Sequence, residues 1–87
     1  MSDGEEFNKT ARVKYEFAGR EYWIDVNEYG AADVRCFEGR GMKWEQHVKP
    51  GKTLRESWSP GAMFTIDDSW MNRFELAIVD LRGLVGT

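Results

Sequence analysis

Cysteine is almost missing from this chain. Cys36 is the only one, so no internal disulfide is available, and a single thiol suits a reducing cytoplasm. Histidine is as scarce: with His47 alone, no Cys/His cluster has metal-ligand spacing and no serine has a plausible His-and-carboxylate partnership. There is no run of 18 apolar residues, which excludes a membrane-spanning helix. Proline occurs twice, at Pro50 and Pro60, which confines the rigid breaks to one stretch. The opening MSDGEEFNKT is acidic and polar, unlike a secretory signal. Residues 1–10 read as a flexible arm ahead of one domain at 11–87, in a cytoplasmic protein (host cytoplasm, if a phage encodes it).

The 87 residues are 41% apolar and 14% aromatic, ample for a core. A chain this short buries only about 60–65% of its unfolded surface, so it gains from dimerisation. The net charge of -3 is unevenly spread. Residues 1–38 carry -4 and residues 56–87 carry -3, whereas residues 39–55 carry +4. Segregation of sign points to an edge that faces a polyanion, or to a solvated basic loop.

Period-two alternation marks the strands. ARVKYEF puts Val13, Tyr15 and Phe17 on one face, and EYWIDVN does the same for Tyr22, Ile24 and Val26. A two-residue turn at Gly19-Arg20 predicts the pairs Phe17/Tyr22, Tyr15/Ile24 and Val13/Val26. A turn centred on Gly30 predicts Val26/Val34 and Ile24/Cys36, and a turn at GRG sets Cys36 opposite Trp44. Cys36 is then a core residue. On the other face Lys14, Asp25, Arg35 and Glu45 form a row of alternating sign, with Trp23 and Phe37 side by side near Lys43.

TIDDSWMNRFELAIVDLRG reads as a helix capped by Asp67, with Asp68 at the positive end of the dipole, an Ile66/Met71 staple and Gly83 as its stop. Trp70, Phe74, Ala77, Ile78 and Leu81 form the stripe that lies on the sheet. Leu76 and Val79 point the opposite way. Either the LVGT tail covers them or they meet another subunit, and the subunit contact is the expectation. Between sheet and helix, KPGK is a turn, TLRESW a short strand and AMFTI a second extended piece. The fold class is α+β: a curved antiparallel meander of four to five strands followed by one C-terminal helix packed on the sheet.

Catalytic motifs fail on inspection. PGKT resembles the end of a phosphate-binding loop, but Gln46 stands where its first glycine belongs. GRGMKW lacks the third glycine and the helix of a dinucleotide fingerprint. Asp67 and Asp68 are caps. The expectation is a non-enzymatic protein with no cofactor and no metal.

Four strands in a meander followed by one helix is the arrangement of small single-strand-binding domains of the whirly and Pur type. More specifically, over about residues 20 to 82, the chain resembles the transcriptional coactivator family of positive cofactor four, with its short bacterial and phage relatives. EYWIDVNEY resembles the family strand that ends in a valine, two polar residues and an aromatic. DVRCF resembles the start of its Asp-hydrophobic-Arg strand, and KPGK a turn of the eukaryotic members. RESWSP is similar to the Arg-Glu-aromatic-Trp segment and to the Trp-Ser-Pro of bacterial relatives, and TIDDSW to its Ser-Leu-Asn lead into a helix with a Trp. DVRCF and RESW compete for the same family strand. Gly30-Ala31-Ala32 replaces the family's Lys-Gly-Lys turn.

The resemblance implies a homodimer that binds single-stranded DNA with little sequence preference and acts in transcription, replication or recombination. Phosphates would meet Arg35, Arg40, Lys43, Lys49, Lys52 and Arg55. Bases would stack on Trp23, Phe37 or Trp58, with Tyr29 at the family's aromatic position, and Leu76 and Val79 would join two copies. Expected partners are single-stranded DNA, locally melted duplex, a second copy and a replication or transcription protein. A second class stays open: a small acidic phage-type inhibitor of a host nuclease or defence complex, anchored by Trp23, Trp44 or Trp58.

Overall fold

The computed structural model describes residues 10–58 and 66–86. Strands β1 (Thr10–Phe17), β2 (Arg20–Asn27), β3 (Ala32–Glu38) and β4 (Gly41–Val48) form one antiparallel sheet in sequential order. A single helical turn, α1 (Leu54–Ser57), and a long helix, α2 (Asp68–Gly86), follow. The sheet is an open meander with the C-terminal helix packed on one face, as the alternating strands and the 3.6-residue stripe predict. The expected flexible arm, apart from Thr10, and nearly all of the AMFTI piece lie outside the described residues.

The first two hairpins pair two residues away from the predicted register. Phe17 faces Arg20, Tyr15 faces Tyr22, Val13 faces Ile24 and Ala11 faces Val26. The cause is the turn. Ala18 takes φ 53° and Gly19 φ 80°, the two left-handed residues of a two-residue turn whose twist matches the strands. An alanine in that conformation is unusual, so Gly19-Arg20 was the more natural reading. The second turn centres on Tyr29 rather than Gly30, which sets Val26 opposite Ala32, Ile24 opposite Val34 and Tyr22 opposite Cys36. Asn27 imposes this closure: its Oδ1 accepts the N–H groups of Tyr29 (2.9 Å) and Ala31 (3.1 Å). A slip of two leaves every side chain on its predicted face, so the core is unaffected.

The third hairpin does pair Cys36 with Trp44, but through a bulge. The Gly39-Arg40 turn pairs Glu38 with Gly41 and Phe37 with Met42; the ladder then skips Lys43 before Trp44. Were the ladder to run on with Lys43 in it instead of skipping it, Lys43 would face Cys36 on the core side and Trp44 would face water.

One face of the sheet builds the core. Tyr22, Ile24 and Val26 of β2, Ala32, Val34 and Cys36 of β3, and Val48 of β4 are buried. Met71, Phe74, Ala77, Ile78 and Leu81 of α2 press onto them, with Trp70 packed at the margin. Fully burying Phe74 or Ile24 is worth roughly 1.5–3 kcal/mol each. Asp67 caps α2, its backbone oxygen taking Met71 N–H at 3.0 Å. The helix does not stop at Gly83. It continues to Gly86 because Val85, one turn beyond Leu81, still packs on the core.

TLRESW is a helical turn, not a strand. Thr53 Oγ1 accepts Glu56 N–H and Glu56 Oε1 accepts Thr53 N–H, both at 3.0 Å, a closed capping box. The carboxylate of Glu75 on α2 then accepts the free N–H groups of Leu54 (2.8 Å) and Arg55 (2.9 Å). A helical turn has unpaired donors at its start, and here a second helix fills them while Leu54 plugs the core.

Ala18→Asn tests the first turn. Asparagine tolerates the left-handed conformation better than alanine, and Asn-Gly is the favoured pair for this turn. Stability should rise by about 0.5–1 kcal/mol in urea, a shift of roughly 2–8 °C in Tm. A loss of stability would mean that the turn is not built this way.

Candidate nucleic-acid interface

The sheet face away from α2 was expected to carry the binding groove. Its charges are engaged with one another. Arg35 donates to Glu45 Oε2 at 2.7 Å and to Asp25 Oδ2 at 3.0 Å, with Asp33 at 3.9 Å. Asp25 is shared with Arg12, which also donates to it at 3.2 Å. Arg12 therefore takes the place that Lys14 was expected to hold, a direct result of the two-residue shift in register. The hydrogen bond to Glu45 raises the pKa of Arg35 first, and that to Asp25 raises Arg12. His47 lies on this face, with Nδ1 2.9 Å from Asp33.

Trp23 and Phe37 are neighbours, ring centroids 6.0 Å apart and nearly edge to face. The Trp23 ring is not an empty platform. The Arg12 guanidinium stacks over Trp23 at 4.3 Å, Lys14 sits 5.6 Å from the same ring, and the indole N–H donates to Glu21 at 2.9 Å. Around this pair the face carries Glu16, Glu21, Asp25, Asp33 and Glu45 against Arg12, Lys14 and Arg35. Five carboxylates against three cations repel a polyanion.

The basic segment 39–55 is not one surface. Arg40 lies in the β3–β4 turn, and the Lys43 ammonium is 4.0 Å from Glu38. Lys49 and Lys52 follow at the other end of β4, which is eight residues long and so spans about 24 Å. Arg55 is drawn against α2, 3.5 Å from Asp68 and 3.2 Å from Asn72 Oδ1. Trp58 stacks edge-on against Trp44 at 5.1 Å, on the core side of the sheet. It belongs to the packing and not to the outer face.

What the fold does bring together is Tyr29, Lys49 and Lys52. The Lys49–Lys52 turn is closed by Lys52 N–H donating to Lys49 O at 3.0 Å, with Pro50 first and Gly51 left-handed at φ 81°, the order a type II turn requires. Pro50 lies against Gly30 of the neighbouring turn. Arg82 of α2 ties the two turns together. Its Nε donates to Gly30 O (2.7 Å), Nη1 to Lys52 O (2.9 Å) and Nη2 to Lys49 O (3.1 Å). Carbonyls satisfy its donors without cancelling its charge. Lys49 and Lys52 make no ion pair among the described residues, and Tyr29 is 77% exposed. Beside them an open depression of about 360 Å³ is lined by His47, Lys49, Lys52, Glu56 and Ser57.

Reading the sequence missed Arg82. The carbonyls it holds are 30 to 52 residues away. Leu76 and Val79 lie exposed on α2 as expected, and Leu84 joins them because the tail stays helical and does not fold back. Among the described residues no acidic, His or Cys cluster is suited to a metal, and no helix is long and apolar enough to cross a membrane. Cys36 is fully buried, and burial pushes its thiol pKa up, which suppresses the nucleophilic thiolate.

No protein-family model, curated protein or solved structure matches the chain.

Arg82→Ala removes three charge-assisted hydrogen bonds and should cost about 1.5–3 kcal/mol. Amide exchange should accelerate most at Gly30 and Lys52, the turn N–H groups beside the clamp, and least at Ile24 and Val34. A uniform change over all four would show that the turns do not depend on Arg82.

Proposed function

We propose that the protein is a non-enzymatic, homodimeric single-stranded-DNA-binding protein of the cytoplasm, serving transcription, replication or recombination. The observation that carries this reading is the end of the sheet, where a turn bearing two lysines that make no ion pair among the described residues lies against the turn that bears an exposed tyrosine. Phosphates would be met by Lys49 and Lys52, in the added field of Arg82, and a base would stack on Tyr29. Stacking of this kind is worth about 1–3 kcal/mol per base and tolerates any sequence. The resemblance to the positive cofactor four family supports the reading through the order of elements, four antiparallel strands and then a helix. The exposed Leu76, Val79 and Leu84 support pairing of two copies through α2.

Anisotropy of a labelled single strand of about 20 nucleotides, at two salt concentrations and beside the duplex, tests the ligand. The single strand should bind more tightly. Lys49→Ala and Lys52→Ala should each weaken it and each lower the slope of log K against log salt by about 0.7. Tyr29→Ala should cost roughly tenfold. Absence of binding at low salt ends this reading.

Sedimentation equilibrium tests the assembly: the mass should be twice the 10.1 kDa of one chain. Leu76→Lys with Val79→Lys should return it to one chain. A wild-type monomer at about 100 μM would rule the helix contact out.

A second reading has its own observation, the excess of carboxylates around Trp23 and Phe37. That face suits a basic protein surface, as in an inhibitor of a nuclease or defence complex. Protein binding lost in Glu45→Lys, without any affinity for DNA, would favour it.

A further inference from the structure

We infer that the site at the end of the sheet takes a short stretch of single strand, about two phosphates and one base, and that the strand passes across that end without running over the sheet face. This rests on the single-strand reading above and names its ligand more closely: nucleic acids that expose two or three unpaired nucleotides, as at gaps, bulges, loops and ends.

The turn sets the reach. Lys49 and Lys52 are the first and last residues of one hydrogen-bonded turn, so their Cα atoms lie within about 7 Å. They serve neighbouring phosphates. Tyr29 offers one ring, and Arg82 fixes its turn against the lysine turn by holding Gly30 O and Lys49 O together. One ring takes one base.

The surroundings set the limit. Towards the sheet face a strand first meets His47, whose ring is held by Asp33, and then Asp33, Asp25 and Glu45. Towards the helices Glu56 lines the depression, and Arg55 beyond it is already engaged with Asp68 and Asn72. Beyond the site, the cations outside an ion pair among the described residues are Arg40, at the far end of β4 about 24 Å away, and Arg73, which lies over the Trp70 and Tyr15 rings at 4.8 and 5.9 Å. Carboxylates therefore border the lysine turn on both sides, and no second set of free cations continues the path.

An NMR titration with thymidine oligomers of about two to twelve nucleotides tests this at low salt. It is run on the wild type and on Leu76→Lys/Val79→Lys, so that bridging of two copies is separated from the length of one site. With Kd corrected for the number of overlapping frames, affinity should level off by about four nucleotides and change less than threefold up to twelve. The salt slope should lie near −1.4, the value for two phosphates on a single strand. The Gly30 and Gly51 amides should move, and the Trp23 indole N–H should not. A Kd that falls tenfold or more between four and twelve nucleotides in the Leu76→Lys/Val79→Lys protein, or a shifting Trp23 N–H, overturns the short footprint while leaving single-strand binding in place. No shift at any length overturns both.

Discussion

One guanidinium joins three parts of the chain that the sheet alone would leave separate. Arg82, near the end of α2, donates to carbonyls of the β2–β3 turn and of the turn that leaves β4. These carbonyls are at loop positions where the ladder has ended, so nothing else in the sheet would hold them. Arginine suits the task because its donors are fixed in a plane and fan outward. A lysine ammonium has no such fork. The helix is held on the sheet by Phe74, Ile78 and Leu81, but the placing of the two turns, and so of Lys49, Lys52 and Tyr29, depends on this one side chain.

Electrostatics then sorts the cations. A guanidinium flanked by carboxylates, such as Arg35, already has its counter-charges, and a phosphate would have to displace them. Single exposed pairs are worth only about 0.2–1 kcal/mol, but Arg12, Asp25, Arg35 and Glu45 form a connected row in which Asp25 and Arg35 each have more than one partner and Arg12 has a ring beneath it. The row stabilises the open face and takes its arginines out of use. The lysines of the end turn lie beyond the last strand pair, where no cross-strand carboxylate faces them; Glu56 lines the same depression but makes no ion pair with either.

Alternation and helical spacing were legible in the residues themselves. The inward set Tyr22, Ile24, Val26, Val34 and Cys36, the cap at Asp67 and the stripe Phe74, Ala77, Ile78 and Leu81 all follow from local pattern. Register was less so, because it turned on whether Ala18 would accept a left-handed conformation and on the side chain of Asn27 closing its own loop. The helical turn at Leu54 had a visible signal in Thr53 and Glu56, the spacing of a capping box. What made it win over a strand was Glu75, 21 residues away from Leu54. The site was legible as a list of basic and aromatic residues. Which of them are free was not, since a cation's availability is decided by its cross-strand and tertiary neighbours.

The bulge at Lys43 gives β4 a property that its neighbours lack. Everywhere else in the meander, losing one residue would turn a strand's inward side chains outward. At Lys43 the extra residue already sits outside the ladder, and losing it would let Phe37/Met42 and Cys36/Trp44 follow one another without a break. Trp44, Gln46 and Val48 would keep their face. The strand thus has one place where a deletion leaves the alternation of in and out undisturbed.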